Sequence, residues 1–583
     1  MCRDFFMNQM DCIGEIMQEH RKHLEKVGIG VLISSILFTP TALYAENPVD
    51  TLPKAETPKT RSQAEINVQQ QSTISPELQK VLNTEIQPAS FGIYGVKAVP
   101  FEEVSAFFAP YANKKVTIGK LVELSQQVTA FYQQRGLPLS FSYIPAQNFN
   151  ERVIKVVVIE GHIGSVKIEG NPGATESKIR EIVEPLLNEK PLTRPTMERY
   201  TTMLGLLPGL KIQAFLPLPQ QMDGASELTL KVERKSIEAM GRLENVRPFT
   251  RGIVTVRASG NTSLAEEITA STLISSQNEQ YYALSYAQPI GKEGLLIRVD
   301  ASDYDGKPTT DLGDDLRRHV KTQRLSVGLT YPLLLRQDRS LLGSVALTAN
   351  NFDDNIRSKQ TGAAIKTTAD VRTLSVGGTY SDTTATRGRR LQLMMSRGLD
   401  ALGASKSVDY LYGGVRYPFG SNIDLSFSKY VVSFVQRNYL GNNWGTAISG
   451  MAQYSGDSLP ISEKIQFGGY QYGRAYRPGR LAGDSGWGIS LELNRTIPFS
   501  YKLPFYNLAG LQPYVMMETA RIYEHIDQSE YDHISSVSLG MRLISDQPDR
   551  TNLDFSLSKA VGSGSGSNAF KDMALGFNFG IPF

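Results

Sequence analysis

The chain ends Leu575-Gly576-Phe577-Asn578-Phe579-Gly580-Ile581-Pro582-Phe583. Odd positions are apolar; even ones are glycine, asparagine or proline. Alternate side chains of a strand point to opposite faces, so this stretch has one wholly apolar face. The same alternation runs upstream. Leu295, Ile297, Val299 and Ala301 share one parity, with Arg298 and Asp300 between them. Leu325, Val327, Leu329 and Tyr331 repeat it, as do Val537, Leu539, Met541 and Leu543. Leu553, Phe555 and Leu557 stand against Asp554, Ser556 and Ser558. From about Ile237 to the end, the chain reads as one long antiparallel sheet.

Such a sheet is either a soluble propeller or a membrane barrel, and the turns separate the two. Proline beside an aromatic or aliphatic residue recurs at Gln288-Pro289-Ile290-Gly291, Tyr331-Pro332-Leu333, Tyr417-Pro418-Phe419-Gly420 and Ile497-Pro498-Phe499. Weaker turn signals fall near Ala369-Asp370, Asp457-Ser458 and Asp546-Gln547-Pro548. The spacing is about 43 residues, room for two membrane-crossing strands, one short turn and one long loop. About 350 residues then give about 16 antiparallel strands, an even number as in bacterial barrels. The expected fold is a transmembrane β-barrel over 236–583. The terminal strand resembles the C-terminal targeting strand of outer-membrane barrels. That resemblance implies that Phe577, Phe579 and Phe583 are read by the barrel assembly machinery.

The start of the chain agrees. Arg21, Lys22 and Lys26 precede an apolar run from Val27 to Phe38, followed by Ala42 and Ala45. This is the layout of a secretory signal peptide, assigned to 1–45. Its removal takes both cysteines, Cys2 and Cys12, which suits an oxidising compartment. Hydrophobic residues are 41% of the 583 and the formal net charge is only +3, so no nucleic-acid partner is indicated. Residues 46–87 are polar and rich in Pro, Thr and Gln, and read as a linker with a short helix near Ser75.

Two β-α-α-β-β units follow, at 88–163 and 164–235. In the first, Phe101 to Phe108 and Ile118 to Gln134 have helical spacing; in the second, Glu176 to Leu187 and Thr196 to Leu206 do. The first unit carries Ala130-Phe131-Tyr132-Gln133-Gln134-Arg135-Gly136, then Ile144-Pro145-Ala146-Gln147, then Val157-Val158-Ile159-Glu160-Gly161. These motifs resemble the first polypeptide-transport-associated (POTRA) domain of two-partner secretion transporters. Those are the haemolysin secretion/activation proteins of the FhaC and ShlB kind, within the BamA superfamily. The resemblance implies two periplasmic POTRA domains and an outer-membrane barrel in a Gram-negative cell. It implies an unfolded secreted exoprotein of the TpsA type as partner, besides the membrane lipid. Capture is expected by strand addition to an exposed sheet edge. Rival readings are a BamA-like insertase, which typically has more such units, and a passive porin or receptor, which needs none.

One loop carries the candidate chemistry: Gly468-Gly469-Tyr470-Gln471-Tyr472-Gly473-Arg474-Ala475-Tyr476, running on to Gly483. It lies between the turn signals near Ser458 and Pro498, hence on the extracellular side. In the superfamily the corresponding loop folds into the barrel, where the Arg of an Arg-Gly-Tyr/Phe motif meets an acidic residue of a Phe-x-Asp-x-Gly motif. Arg474-Ala475-Tyr476 resembles the first, and Met516-Met517-Glu518-Thr519-Ala520 is the candidate for the second. The resemblance implies a loop lock of Arg474, Tyr476 and Glu518, with Gly468, Gly469, Gly473 and Gly483 shaping the loop. No catalytic, metal or cofactor site is assigned. The mature chain has four histidines: His162, His319, His525 and His533. The last two share an acidic loop that reads as solvated, with a bound cation as the lesser alternative. No G-x-S-x-G or H-E-x-x-H occurs, and the 562–567 Gly-Ser run lacks the Lys of a phosphate loop. With no nucleotide site, folding of the cargo outside the cell is the expected drive.

Overall fold

The computed structural model describes residues 49, 52, 81–219, 221–246, 249–275, 278–308, 315–503, 506–525, 533–545, 552–561 and 573–582. The signal peptide, most of the linker, the 562–567 run, Asp527, Glu530, Asp532 and Phe583 lie outside these residues.

Each α+β unit is a three-stranded sheet with two helices. In the first, Ser90–Tyr94 runs parallel to Val153–Ile159, and Phe141–Tyr143 pairs antiparallel on its other side. Helices Phe101–Phe108 and Ile118–Gln134 bury Val104, Phe108, Leu121, Leu124 and Val128 against that sheet. The long helix opens on Thr117, whose hydroxyl accepts from the Lys120 N–H. It ends at Gly136, which has a φ of 84°. The remaining motif residues also have physical reasons. Glu160 Oε1 accepts from the N–H groups of Lys97 and Ala98 at 2.8 and 2.7 Å and from the Tyr132 hydroxyl at 3.1 Å. Burial, with Glu160 alongside, holds the Tyr132 phenol well above its ordinary pKa. Gln147 bonds both backbone groups of Lys155. A Cβ on Gly161 would fall 2.4 Å from the Leu139 carbonyl oxygen, so only glycine fits. The second unit repeats the topology: His162–Gly170 parallel to Ala225–Arg234, with Leu210–Phe215 antiparallel, and helices Glu176–Asn188 and Arg194–Leu204.

The barrel begins at Ile237–Val246 and closes when Ala574–Pro582 pairs back onto that strand, Phe579 opposite Leu243. Sixteen antiparallel strands form the closed ring among the described residues. Closure leaves every strand with two partners, which hydrocarbon demands. Leu325, Val327, Leu329 and Leu333 on one strand and Leu391, Leu393 and Met395 on another are exposed at one parity, marking the outward face. Phe577 stands directly opposite Phe555, itself exposed, which puts Phe577 and Phe579 on that face too.

The strand number agrees with the sequence expectation, but several turns do not. Ala369-Asp370 lies inside the strand Ala364–Thr383. Tyr417-Pro418 lies in a hairpin, Ser405–Tyr412 with Val415–Phe419, that pairs with the far end of that strand beyond the apolar band. Asp457-Ser458 belongs to the long loop itself. The short turn before that loop is Asn442-Asn443, both residues at positive φ (48° and 63°). That is a two-residue hairpin signal. At Tyr417-Pro418 proline was the wrong marker, because an edge strand or hairpin tolerates it as well as a turn does.

The second unit sits on the short-turn rim. Arg199 donates to the carbonyls of Glu293 and Pro332 at 3.1 Å each, and the Tyr200 hydroxyl to Glu293 Oε1 at 2.9 Å. Its apolar core continues into Ala265 and Leu335 of the barrel. Two residues of the polar N-terminal segment, Val49 and Leu52, pack against Leu273, Tyr304, Val320 and Phe352 inside the ring.

Candidate functional site

The loop between strands Trp444–Ser455 and Ser485–Arg495 turns inward. Ile465–Phe467 pairs with Leu481–Gly483 as a small hairpin, and residues 468–480 form its tip. The glycines allow close approaches, most tightly at Gly468. Gly468 (φ 122°) would place a Cβ 2.1 Å from the Arg477 carbonyl oxygen. Gly473 would place one 2.5 Å from Ile534 Cδ1 on the wall, and Gly483 one 2.9 Å from Ile522 Cβ. Gly469 also has positive φ. Ile465, Phe467, Ala475, Tyr476 and Leu481 make a dry cluster with Ala520, Ile522 and Ile534 of the wall. Ala475 is 1% exposed, so a methyl fills the place where the superfamily motif has glycine.

The structure brings Arg474 and Glu518 together, in an arrangement the sequence did not suggest. Glu518 Oε2 accepts from the backbone N–H of Arg474 at 3.1 Å and from the Ser536 hydroxyl at 3.2 Å. The guanidinium reaches past this carboxylate. Its Nε lies 3.8 Å from Glu518 Oε1, while Nη1 donates to the Tyr514 hydroxyl at 2.7 Å and stands 3.8 Å from Asp554 Oδ2. The Tyr514 hydroxyl in turn donates to Asp554 Oδ1 at 2.6 Å. Arg542 completes the network: it donates to Asp554 and, through both terminal nitrogens, to Glu492, and lies 4.1 Å from the Tyr514 ring centroid. Gly540 makes room for that ring, since a Cβ there would meet Tyr514 Cζ at 2.1 Å. Tyr476 donates weakly to the Ser535 carbonyl, 3.4 Å away.

Side chains of Arg474 and Glu518 are 12% and 3% exposed. The pair is therefore not the partly solvated one that a polar lumen suggests. Buried pairs add little net stability, but removing one partner strands the other charge. Glu518 keeps two hydrogen bonds without the Arg474 side chain, which limits that cost.

Tyr514, Arg542, Glu492 and Asp554 are site residues that sequence reasoning missed. Their signal was parity. Each lies between outward apolar residues: Val515 beside Tyr514, Met541 and Leu543 about Arg542, Leu491 and Leu493 about Glu492, Leu553 and Phe555 about Asp554. What parity could not give is which inward residues meet across strands.

Residues 89–161 match the POTRA domain of ShlB type, and residues 256–543 match the haemolysin secretion/activation protein ShlB/FhaC/HecB. The heme/hemopexin transporter protein HuxB of Haemophilus influenzae is 19% identical over 408 residues, 68% of this chain and 70% of that protein. CdiB from Escherichia coli superposes with a TM-score of 0.64 at 17% identity, covering 90% of this chain and 95% of its own. BamA from Haemophilus ducreyi lacking POTRA domains 1–3 gives 0.52 at 13%, covering 86% and 100%. These structural likenesses speak for the fold alone. The barrel therefore sits in the outer membrane of a Gram-negative cell with its POTRA region in the periplasm. The chain belongs to the ShlB/FhaC/HecB haemolysin secretion/activation family of two-partner secretion transporters.

Proposed function

We propose that the chain exports one dedicated exoprotein of the TpsA type, unfolded, through the barrel, and that Arg474 and Glu518 hold the inward loop in the resting state. The observation that carries this reading is the loop tip pinned by its backbone to Glu518 and by its side chain to Tyr514 beside Asp554. No ladder of backbone bonds joins residues 468–480 to the wall among the described residues, so the tip can leave without breaking a strand. Two loop states close in energy are shifted by small biases. The α+β units at 88–163 and 164–235 present free sheet edges, Ser90–Tyr94 and Phe141–Tyr143 in the first, on which an extended cargo strand can add. The outward Phe577 and Phe579, with Phe583, are the elements read by the assembly machinery during insertion.

The test is co-expression with an exoprotein of the TpsA type from the same genome. The full chain secretes that exoprotein, and a chain lacking 88–235 inserts but does not. Secretion without these units, or uptake of small solutes as the sole activity, contradicts the proposal.

A further inference from the structure

The outer face of the barrel is apolar through its middle, but a compact basic group interrupts it at the periplasmic rim. Arg389 stands directly opposite Asp382, and Arg339 opposite Asp382 on the other side. Arg389 donates through Nε to Asp382 Oδ2 at 2.7 Å, and Arg387 Nη2 lies 3.5 Å from that oxygen. Arg389 also covers the Tyr380 ring, 5.8 Å from its centroid. Arg339 reaches only Asp338 of its own turn, at 3.5 Å. Arg336 shares that turn. Basic groups thus outnumber the two carboxylates.

Parity places this group on the lipid side. Arg387 and Arg389 continue the row Leu391, Leu393 and Met395, all three exposed. Asp382 continues the row Leu374 and Val376. Arg390, of the other parity, points inward toward Ser381. The three outward arginines are each more than a third exposed. A partner must therefore present a negative charge at the end of an apolar chain. The rim decides the leaflet. These turns are on the side where the second α+β unit rests, since Arg199 bonds Pro332 just before the turn that carries Arg336 and Arg339.

We propose that Arg339, Arg387 and Arg389 bind the phosphodiester headgroup of an anionic phospholipid in the periplasmic leaflet. A guanidinium fork matches two phosphate oxygens, and basic clusters at this depth hold anionic headgroups. The acyl chains of such a lipid lie along Leu391, Leu393 and Met395. The site touches the rim that seats the second unit, so the lipid flanks the joint between that unit and the barrel.

The full-length protein, reconstituted in phosphatidylcholine containing phosphatidylglycerol and re-extracted, is examined by native mass spectrometry for retained lipid. The wild type and Arg416→Gln, an exposed arginine on the extracellular hairpin, retain phosphatidylglycerol. Arg387→Gln/Arg389→Gln retains at least about tenfold less, and Arg387→Lys/Arg389→Lys an intermediate amount. Equal retention by the Gln double variant overturns the proposal. So does displacement by inorganic phosphate, which assigns the group to a free anion. A second measurement needs no variant. Photoactivatable phosphatidylglycerol should label the wild type around 387–395, and uniform labelling of the barrel counts against the site.

Discussion

Two of the buried ion clusters inside this barrel differ in what they join. On one arc, Arg251 pairs with Glu279, which also accepts from the Tyr304 hydroxyl, and Arg318 pairs with Asp354 at 2.9 Å. The residues of these pairs all sit on barrel strands. On the other arc, Glu492, Tyr514, Glu518, Arg542 and Asp554 belong to strands, but Arg474 arrives on a loop. The first kind can form only when the strands are in register, so it reports on assembly. The second can open while every ladder stays intact. On the function proposed above, the same chemistry of guanidinium and carboxylate serves a wall in one place and a latch in the other.

The largest effect is expected from breaking the wall. Arg318→Ala leaves Asp354, 4% exposed, without its cation. Losing one partner of such a pair costs about 3–5 kcal/mol. The amount of heat-modifiable barrel in the membrane should fall steeply, and secretion only in proportion to it. Normal barrel levels would remove the distinction between the arcs.

Breaking the latch should do the reverse. Arg474→Ala and Glu518→Gln should each leave barrel levels near normal and lower secretion per barrel several-fold. Because the two residues act through one contact, the double variant should be little worse than either. Additive losses would mean independent roles.

The smallest effect sharpens the picture. Tyr514→Phe removes one acceptor for Arg474 and one donor to Asp554 while keeping both charges. Net hydrogen bonds of this kind are worth about 0.5–1.5 kcal/mol, so secretion should drop by less than in Arg474→Ala. An equal drop would make the hydroxyl, not the charges, the anchor.

The two arcs were not equally legible in the sequence. Alternation along single strands gives the barrel, its outward face and the inward position of Glu518, because parity is local. The strand number also followed, although turn signals at Asp370, Pro418 and Ser458 were misplaced and Asn442-Asn443 was passed over. Misplaced turns and missed turns offset one another in an average spacing. The helices of both α+β units were legible for the same local reason. The network around Arg474 was not. Arg542 meets Glu492 from two strands away, and Asp554 meets a loop residue 80 positions earlier in the chain. Such meetings depend on strand stagger and on the depth a loop reaches, which no single stretch encodes. Ala475 illustrates the limit. Against the motif it looks like a defect, yet in the structure its methyl completes the dry cluster with Ala520 and Ile534.

The central claim is that the loop tip must leave the wall for cargo to pass. With both cysteines in the predicted signal peptide, the mature barrel is a clean background for a disulfide trap. Gly473 and Ile534 are the pair to use: a Cβ built on Gly473 falls 2.5 Å from Ile534 Cδ1, and Ile534→Cys removes that methyl. Secretion by Gly473→Cys/Ile534→Cys should be measured with the disulfide formed and after reduction. The account predicts little secretion in the oxidised state and recovery on reduction, with each single variant insensitive to both. Equal secretion with the tip tethered would show that cargo passes a loop that never moves, and would contradict the latch.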